Sequence, residues 1–170
     1  MNTRKHPRLK GYDYSRNGAY FVTFCTRNRA EILCNIVGRG ILDAPLVELT
    51  SIGECVWDAI SYLDEHDKAL SVEHFVIMPN HVHLLLLFEG ACGNPRPTNM
   101  RLPKFISSLK RYTNRVCGET LWQDSYHDHI IRDEYDYLVR WHYIDSNPAK
   151  WQEDEYYDGK SSMPITTKES

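Results

Sequence analysis

The chain has 170 residues, 42% of them hydrophobic and 25% charged, with a formal net charge of −3. This length suits one domain with a sizeable core, and the charge excludes a chain that is basic throughout. No apolar run approaches the ~18 residues of a membrane span, and the N-terminus lacks the apolar stretch of a signal peptide. Five cysteines without a CxxC pair are typical of a reduced intracellular protein. We therefore expect a single cytoplasmic domain over residues 1–170.

The first third of the chain predicts a strand followed by a helix. Residues 1–17 are polar and basic and suggest an arm. Residues 20–26 are β-branched and aromatic and nearly continuous in apolar character, as expected of a central strand. Residues 27–48 are mixed and contain glycines, so no long element is predicted there. The sequence Ser51-Ile52-Gly53-Glu54 matches a capping box, and an amphipathic helix should run from it to near His66.

The middle of the chain predicts a hairpin and a second helix. Residues 70–78 and 82–88 are apolar and are separated by a tight Pro79-Asn80 turn, so they should form an antiparallel pair. Residues 90–98 are rich in glycine and proline and suggest a loop. A helix should follow from about Asn99 to Gly118, with an apolar stripe on one side.

The last third predicts a short strand, a third helix and a tail. Residues 129–132 suggest the strand, and Asp133 can cap a helix from Glu134 to about Ser146 that Pro148 ends. Residues 149–170 are acidic and suggest a tail. The order β-α-β-β-α-β-α is that of an α+β, ferredoxin-like split βαβ fold. This fold is an antiparallel sheet with helices on one face, here with an added C-terminal helix.

His81 and His83 are the first candidates for a functional site. Alternate residues of a strand point to the same face, so the two imidazoles should lie side by side. Two neutral imidazoles in this arrangement suit a divalent metal ion. The alternative is a pair of hydrogen-bonded structural histidines, although polar side chains on so apolar a strand need a reason to be there.

Tyr143 and Asn147 are the second candidates, because residues four apart on a helix share a face. Tyr143 offers a phenol that can act as a nucleophile, and Asn147 an amide oxygen suited to magnesium or manganese. Each also has an ordinary explanation, since the chain has 11 tyrosines and Asn-Pro often ends a helix. A second His-x-His pair, His127 and His129, could line the same sheet face. We expect His74 and His142 to be structural.

Two basic segments, residues 1–30 and 99–117, stand out in this acidic chain and contain interspersed tyrosines. Bases stack on aromatic rings and phosphates pair with cations, so such segments can bind single-stranded nucleic acid. Ordinary solvated helix charge explains them equally well. The candidate DNA-binding residues are Arg4, Lys5, Arg8, Lys10, Lys104, Lys110, Arg111 and Arg115.

Taken together, these motifs resemble the single-tyrosine HUH transposases, and among them the REP-associated tyrosine transposases. The resemblance lies in YFVT at 20–23, VIMPNHVHLL at 76–85, LWQ with IIRD between 121 and 133, and YI with NP at 143–148. It covers about residues 10–150. The acidic end of the chain differs from the longer C-terminal segment that this family often carries.

The resemblance implies that His81, His83 and Asn147 are metal ligands and that Tyr143 is the nucleophile. It implies cleavage and rejoining of single-stranded or hairpin-forming repeat DNA through a 5′-phosphotyrosine bond, with Mg²⁺ or Mn²⁺. A monomer is favoured and a dimer is possible, with no membrane association. Two alternatives remain: a non-cleaving protein that binds structured single-stranded DNA, and a metal-dependent nuclease that uses water on the same fold.

Overall fold

A computed structural model describes residues 18–38, 44–68, 70–88, 101–157 and 159 of the chain. The predicted basic arm, the loop at 90–98 and most of the acidic tail lie outside these residues. The elements, in chain order, are β1 (Ala19–Cys25), β2 (Cys34–Val37), β3 (Leu46–Leu49), α1 (Ser51–His66), β4 (Leu70–Ile77), β5 (His81–Phe88), α2 (Arg101–Cys117), β6 (His127–Ile130) and α3 (Glu134–Ser146). Within the described ranges, no helix is long and apolar enough to cross a membrane.

Four strands form one sheet in the order β4-β5-β1-β6, and every neighbouring pair is antiparallel. β1 and β5 are therefore the two inner strands. This strand order, together with the helix that follows β1 and the helix that follows β5, is the ferredoxin-like arrangement, so the predicted fold class is confirmed.

The sheet is covered on both faces, which explains why β5 is buried along its whole length. Val82, Leu84 and Leu86 pack with α1 and α2 in the larger core, on one face. Leu85 and Leu87 pack with α3 in a smaller core on the other face. By the same alternation, His81 and His83 lie on the α3 face.

Three details differ from the sequence-based expectations. β2 and β3 form a separate hairpin that was not predicted, because each strand has only four residues and is half exposed. The side chain that caps α1 is Thr50 rather than Ser51, since Thr50 Oγ1 accepts a hydrogen bond from Gly53 N at 3.1 Å. β6 begins two residues earlier than expected, because Thr23 of β1 pairs with His127.

The predicted start and end of α3 are confirmed. Asp133 Oδ1 accepts a hydrogen bond from Asp136 N at 2.8 Å and so caps the helix. Asn147 ends it, and Pro148 opens a short 3-10 turn that runs to Glu153. Tyr137, Trp141 and Ile144 are buried against the sheet. This packing fixes the rotation of α3, and the rotation decides where Tyr143 lies.

Candidate metal and nucleophile site

The two imidazoles of β5 lie close together beneath other side chains. His81 and His83 are only 0% and 1% exposed, and their Nε2 atoms are 3.0 Å apart. The predicted same-face arrangement is therefore present. Trp151 and Tyr156 contribute to the cover over the pair, with ring centroids 5.9 Å and 4.6 Å from that of His81. Residues 148–157 are called the covering segment below.

Asn80 sets the protonation pattern of His81. Its amide nitrogen donates to the carbonyl oxygens of Arg29 and Tyr156, at 3.3 Å and 2.8 Å. The amide oxygen of Asn80 therefore faces His81 Nδ1, at 2.8 Å, and accepts a hydrogen bond from it. With its proton on Nδ1, His81 has a lone pair on Nε2, which is the form that binds a metal ion.

Thr23 holds the second ring. Its Oγ1 lies 2.7 Å from His83 Nδ1, and a hydroxyl can either donate or accept. While no ion is bound, His83 Nε2–H can donate to His81 Nε2 and Nδ1 can accept from Thr23. When the hydroxyl accepts instead, His83 carries its proton on Nδ1 and both Nε2 lone pairs become available. Such contacts behind metal ligands orient them and raise their affinity.

The surroundings of both rings favour the neutral form. Burial lowers the pKa of His83 to about 3, and the positive charge of Arg140 adds to this effect. Burial also lowers the pKa of His81 well below its ordinary value, with smaller contributions from His83 and Arg29. Both imidazoles are therefore neutral at pH 7, which is the form in which a ring nitrogen can act as a ligand.

Asn147 and Asp154 complete a group of possible ligand atoms. Asn147 Nδ2 donates to Asp154 Oδ2 at 3.0 Å, and Asp154 Oδ2 lies 3.9 Å from His81 Nε2. Ligand atoms of His81, His83 and Asp154 all fall within 4.8 Å of one another. The Oδ1 atom of Asn147 is buried without a hydrogen-bond partner. An unpaired buried oxygen is costly, and a cation within its reach would satisfy it. The residues present therefore fit a divalent metal ion.

Asp154 is a candidate that sequence reasoning missed. The sequence predicts its neighbourhood only as the start of an acidic tail. It approaches the imidazoles because the irregular 3-10 turn at Pro148–Glu153 turns the chain back over the sheet. No helix or strand periodicity links it to Asn147, so no spacing in the sequence indicates it.

Tyr143 lies on the same face of the sheet as the histidines. Its ring centroid is 5.2 Å from that of His83 and 5.8 Å from that of Phe21. The residue is 36% exposed, so part of its side chain reaches the surface. Burial raises the pKa of the phenol, as do the charges of Asp154 and Glu155, while a hydrogen bond with Asn147 and the charge of Arg140 oppose this rise. Tyr143 is therefore a protonated phenol at neutral pH.

The fold has a counterpart among solved structures. A solved structure of a REP-associated tyrosine transposase bound to a REP hairpin superposes with a TM-score of 0.58 at 22% sequence identity. The match covers 85% of this chain and 74% of the other. The chain has the fold of a tyrosine transposase. The resemblance drawn from the sequence motifs is confirmed at the level of the fold.

A protein of Haemophilus influenzae, described as uncharacterized, is 29% identical to this chain over an alignment of 178 positions, gaps included. The alignment covers 92% of this chain and 94% of that protein. No family model matches the chain.

In this transposase-like fold, an open cleft of about 280 Å³ lies beside the imidazoles. Thr23 and Tyr156, which contact the imidazoles, form part of its wall. His127 and His129 also line it, as the second His-x-His pair suggested they could. His129 Nε2 lies 2.7 Å from Asp136 Oδ2.

The other histidines behave largely as expected. His74 stacks on Trp141 and pairs with Asp145 at 2.9 Å, so it is structural. His142 is exposed.

The predicted basic residues are not brought to the site in the described part of the chain. α2 packs against the face of the four-stranded sheet that is opposite the histidines. Lys104, Arg111 and Arg115 are exposed there, and Arg115 lies over the ring of Tyr112. Lys110 Nζ donates to the carbonyl oxygens of residues 123–125, the shortest of these bonds being 2.6 Å. Arg4, Lys5, Arg8 and Lys10 lie outside the described residues.

Proposed function

We propose that this chain is a metal-dependent enzyme that cuts and rejoins single-stranded DNA through Tyr143, acting on hairpin-forming repeats. One observation carries the proposal. A phenol, an amide oxygen without a partner and two neutral imidazoles meet on one face of the sheet, although they come from residues some 60 positions apart.

The proposed metal ligands are His81 Nε2, His83 Nε2 and Asn147 Oδ1, with Asp154 as a further oxygen donor. Imidazole and oxygen donors in this combination accept Mn²⁺, and the oxygen donors also suit Mg²⁺. A bound ion of this kind would polarise the scissile phosphate and neutralise charge that develops on it.

The proposed reaction conserves the number of phosphate ester bonds. The Tyr143 phenol loses its proton, and its oxygen forms a bond to phosphorus. The bond from phosphorus to the 3′-oxygen breaks, and that oxygen takes up a proton to become a 3′-hydroxyl. The 5′ end of the downstream strand is then attached to Tyr143, and a 3′-hydroxyl reverses the step. Because the ester bond is exchanged rather than hydrolysed, no nucleotide is needed to rejoin the strands.

A search for the covalent intermediate tests this proposal. A pool of single-stranded DNA hairpins, labelled at the 3′ end, is incubated with the protein and Mn²⁺ or Mg²⁺. We expect labelled protein on a denaturing gel and no labelled protein after Tyr143→Phe. Tyr135→Phe is the matched control, because Tyr135 is on the same helix and 78% exposed. Full adduct formation by Tyr143→Phe would remove Tyr143 as the nucleophile.

The burial of the imidazoles favours a second candidate function. With the covering segment in its present place, the pair is closed to solvent. A chain that keeps this arrangement would bind structured single-stranded DNA without cutting it. It would give no adduct, and its affinity for DNA would fall steeply with salt. Cutting without an adduct would instead indicate a nuclease that uses water.

A further inference from the structure

α3 carries a stripe of polar side chains that extends beyond the proposed nucleophile. Asp136, Arg140, Tyr143 and Asn147 follow one another at spacings of four, three and four, so they lie on one side of the helix. Tyr143 and Asn147 already have roles in the proposed reaction. Asp136 and Arg140 do not, yet Arg140 lines the cleft.

Arg140 is held in position by two contacts. Its guanidinium carbon lies 5.2 Å from the centre of the Phe21 ring, a favourable arrangement for a cation above an aromatic face. Its Nε lies 3.4 Å from Asp136 Oδ1. Asp136 is itself fixed, because its Oδ2 accepts from the backbone N of Arg132 at 3.3 Å and contacts His129. The side chain of Arg140 is thus oriented before any ligand arrives.

The outer end of the guanidinium remains free. Within the described part of the chain, no hydrogen bond occupies Nη1 or Nη2, and the side chain is 31% exposed. These two nitrogens form the planar fork that matches the oxygens of a phosphate. Among the described residues that line the cleft, Arg140 is the only one that is always positively charged, while Asp128 and Glu155 are acidic.

Phe21 links Arg140 to the proposed reaction centre. The same ring that lies under the guanidinium stacks on His83, with centroids 5.2 Å apart, and contacts Tyr143 edge to face. A DNA strand with its scissile phosphate at Tyr143 would therefore place a neighbouring phosphate within reach of Arg140.

We propose that Arg140, supported by Phe21 and Asp136, is a subsite for the backbone phosphate next to the scissile one. Arg140 is on this view a positioning residue: it fixes the register of the strand in the cleft. The ligand is the backbone of single-stranded DNA, so the assignment rests on the proposed function, although binding can be measured without cleavage.

The test measures binding of a fluorescent 15-nucleotide oligothymidylate at several salt concentrations, with no divalent metal present. We expect Arg140→Gln to weaken binding about tenfold, as the loss of one charge-assisted contact implies. The plot of log affinity against log salt should also become shallower by ~0.7, the contribution of one phosphate contact in single strands. Arg140→Lys should restore the slope but only part of the affinity, because lysine lacks the planar fork.

Lys68→Gln is the matched control, since it removes an exposed cation at the α1–β4 connection, and it should leave affinity and slope unchanged. Thermal unfolding by circular dichroism shows whether each variant is folded. Unchanged affinity in Arg140→Gln overturns the subsite, and so does weaker binding with an unchanged slope. A shallower slope without any Tyr143 adduct supports the subsite and rejects the proposed reaction. An adduct with an unchanged slope supports the reaction and rejects the subsite.

Discussion

His81 and His83 face each other through Nε2 atoms 3.0 Å apart, and each ring is anchored at Nδ1 by a different partner. The partner of His81 is an amide whose orientation is fixed, whereas the partner of His83 is a hydroxyl that can rotate. The two rings therefore differ in how they become ligands. His81 has its lone pair in place, and His83 exposes one only when Thr23 changes from donor to acceptor.

Thr23→Val tests this difference. Valine has nearly the same shape but cannot accept from His83 Nδ1, so the metal-binding tautomer of His83 loses its support. We expect Mn²⁺ affinity, measured by titration calorimetry, to fall roughly 10–100-fold. Thr120→Val, at an exposed position outside the site, should leave affinity unchanged. Equal affinity in Thr23→Val and the wild type would mean that this hydroxyl does not orient His83.

At the scale of elements, the first turn of α1 is packed against the chain that precedes β2. Gly53 is buried there, and a Cβ atom at this position would clash with the carbonyl oxygen of Leu33. Thr50 Oγ1 also donates to Ile32 O at 2.6 Å, so the helix start and this segment are closely joined. Position 53 therefore admits no side chain unless the backbone moves.

Gly53→Ala should lower the free energy of unfolding by about 1–3 kcal/mol, the usual cost of overpacking, despite alanine's better helix propensity. Urea denaturation measures this loss. Asp58→Ala, on the exposed side of the same helix, should change stability by less than about 0.5 kcal/mol. A stabilised Gly53→Ala variant would show that the two segments are not in contact.

Lys110 illustrates how an element uses a charge internally. The sequence places it among the DNA-binding candidates, but its ammonium group holds the loop that follows α2 through backbone carbonyl oxygens. Burial also lowers its pKa. We interpret Lys110 as a structural cation.

Lys110→Met should therefore reduce the free energy of unfolding by about 1–3 kcal/mol, because it leaves the partly buried carbonyl oxygen of Gln123 without this donor. Chemical denaturation measures the effect. Lys104→Met, exposed on the same helix, should be nearly neutral. If Lys110→Met instead keeps full stability and loses affinity for DNA, the original DNA-binding prediction for this residue is correct.

At the scale of the whole molecule, two buried imidazoles make stability depend on pH. Their pKa values are lowered in the folded state, to about 3 for His83, and lie near 6.5 in the unfolded chain. Between these values the unfolded chain binds more protons than the folded one. The stability that these two neutral rings contribute is therefore fully present above about pH 6.5 and is lost as the pH falls below it.

We expect metal-free protein to lose up to ~1.4 kcal/mol of unfolding free energy per imidazole for each pH unit below about 6.5. Urea denaturation at pH 7.5 and pH 5 in the presence of a chelator measures this loss. His83→Leu should reduce the pH dependence, whereas His142→Gln, at an exposed position, should not. Equal stability of the wild type at both pH values would show that the rings are protonated within the fold.

The sequence predicts those features that depend on local periodicity. The alternation of β5 places His81 and His83 on one face, and the helical spacing of α3 places Tyr143 and Asn147 together. The face of the sheet that α3 covers, and with it the meeting of the two pairs, is not local information. It came from the family resemblance and is now visible in the packing of Trp141 and Ile144.

Asp154 and Arg140 show where sequence reasoning ends. Asp154 reaches the imidazoles through an irregular segment. Such a segment has no regular spacing of residues from which the position of Asp154 could be predicted. Arg140 is at helical spacing from Tyr143, but an arginine on a half-exposed helix is unremarkable until Phe21 is seen beneath it. Such contacts between distant parts of the chain depend on tertiary packing.

The burial of β5 on both faces also has a consequence for local unfolding. An inner strand between two packed layers opens only with the whole domain, so its amides should exchange hydrogen most slowly. Asn147 is at a helix end and Asp154 in a short irregular segment, where opening costs far less. The candidate site thus combines two imidazoles on a strand that should open rarely with oxygen atoms on segments that should open more readily. An ion could enter or leave when Asn147 and Asp154 move away, while the two histidines keep their mutual position.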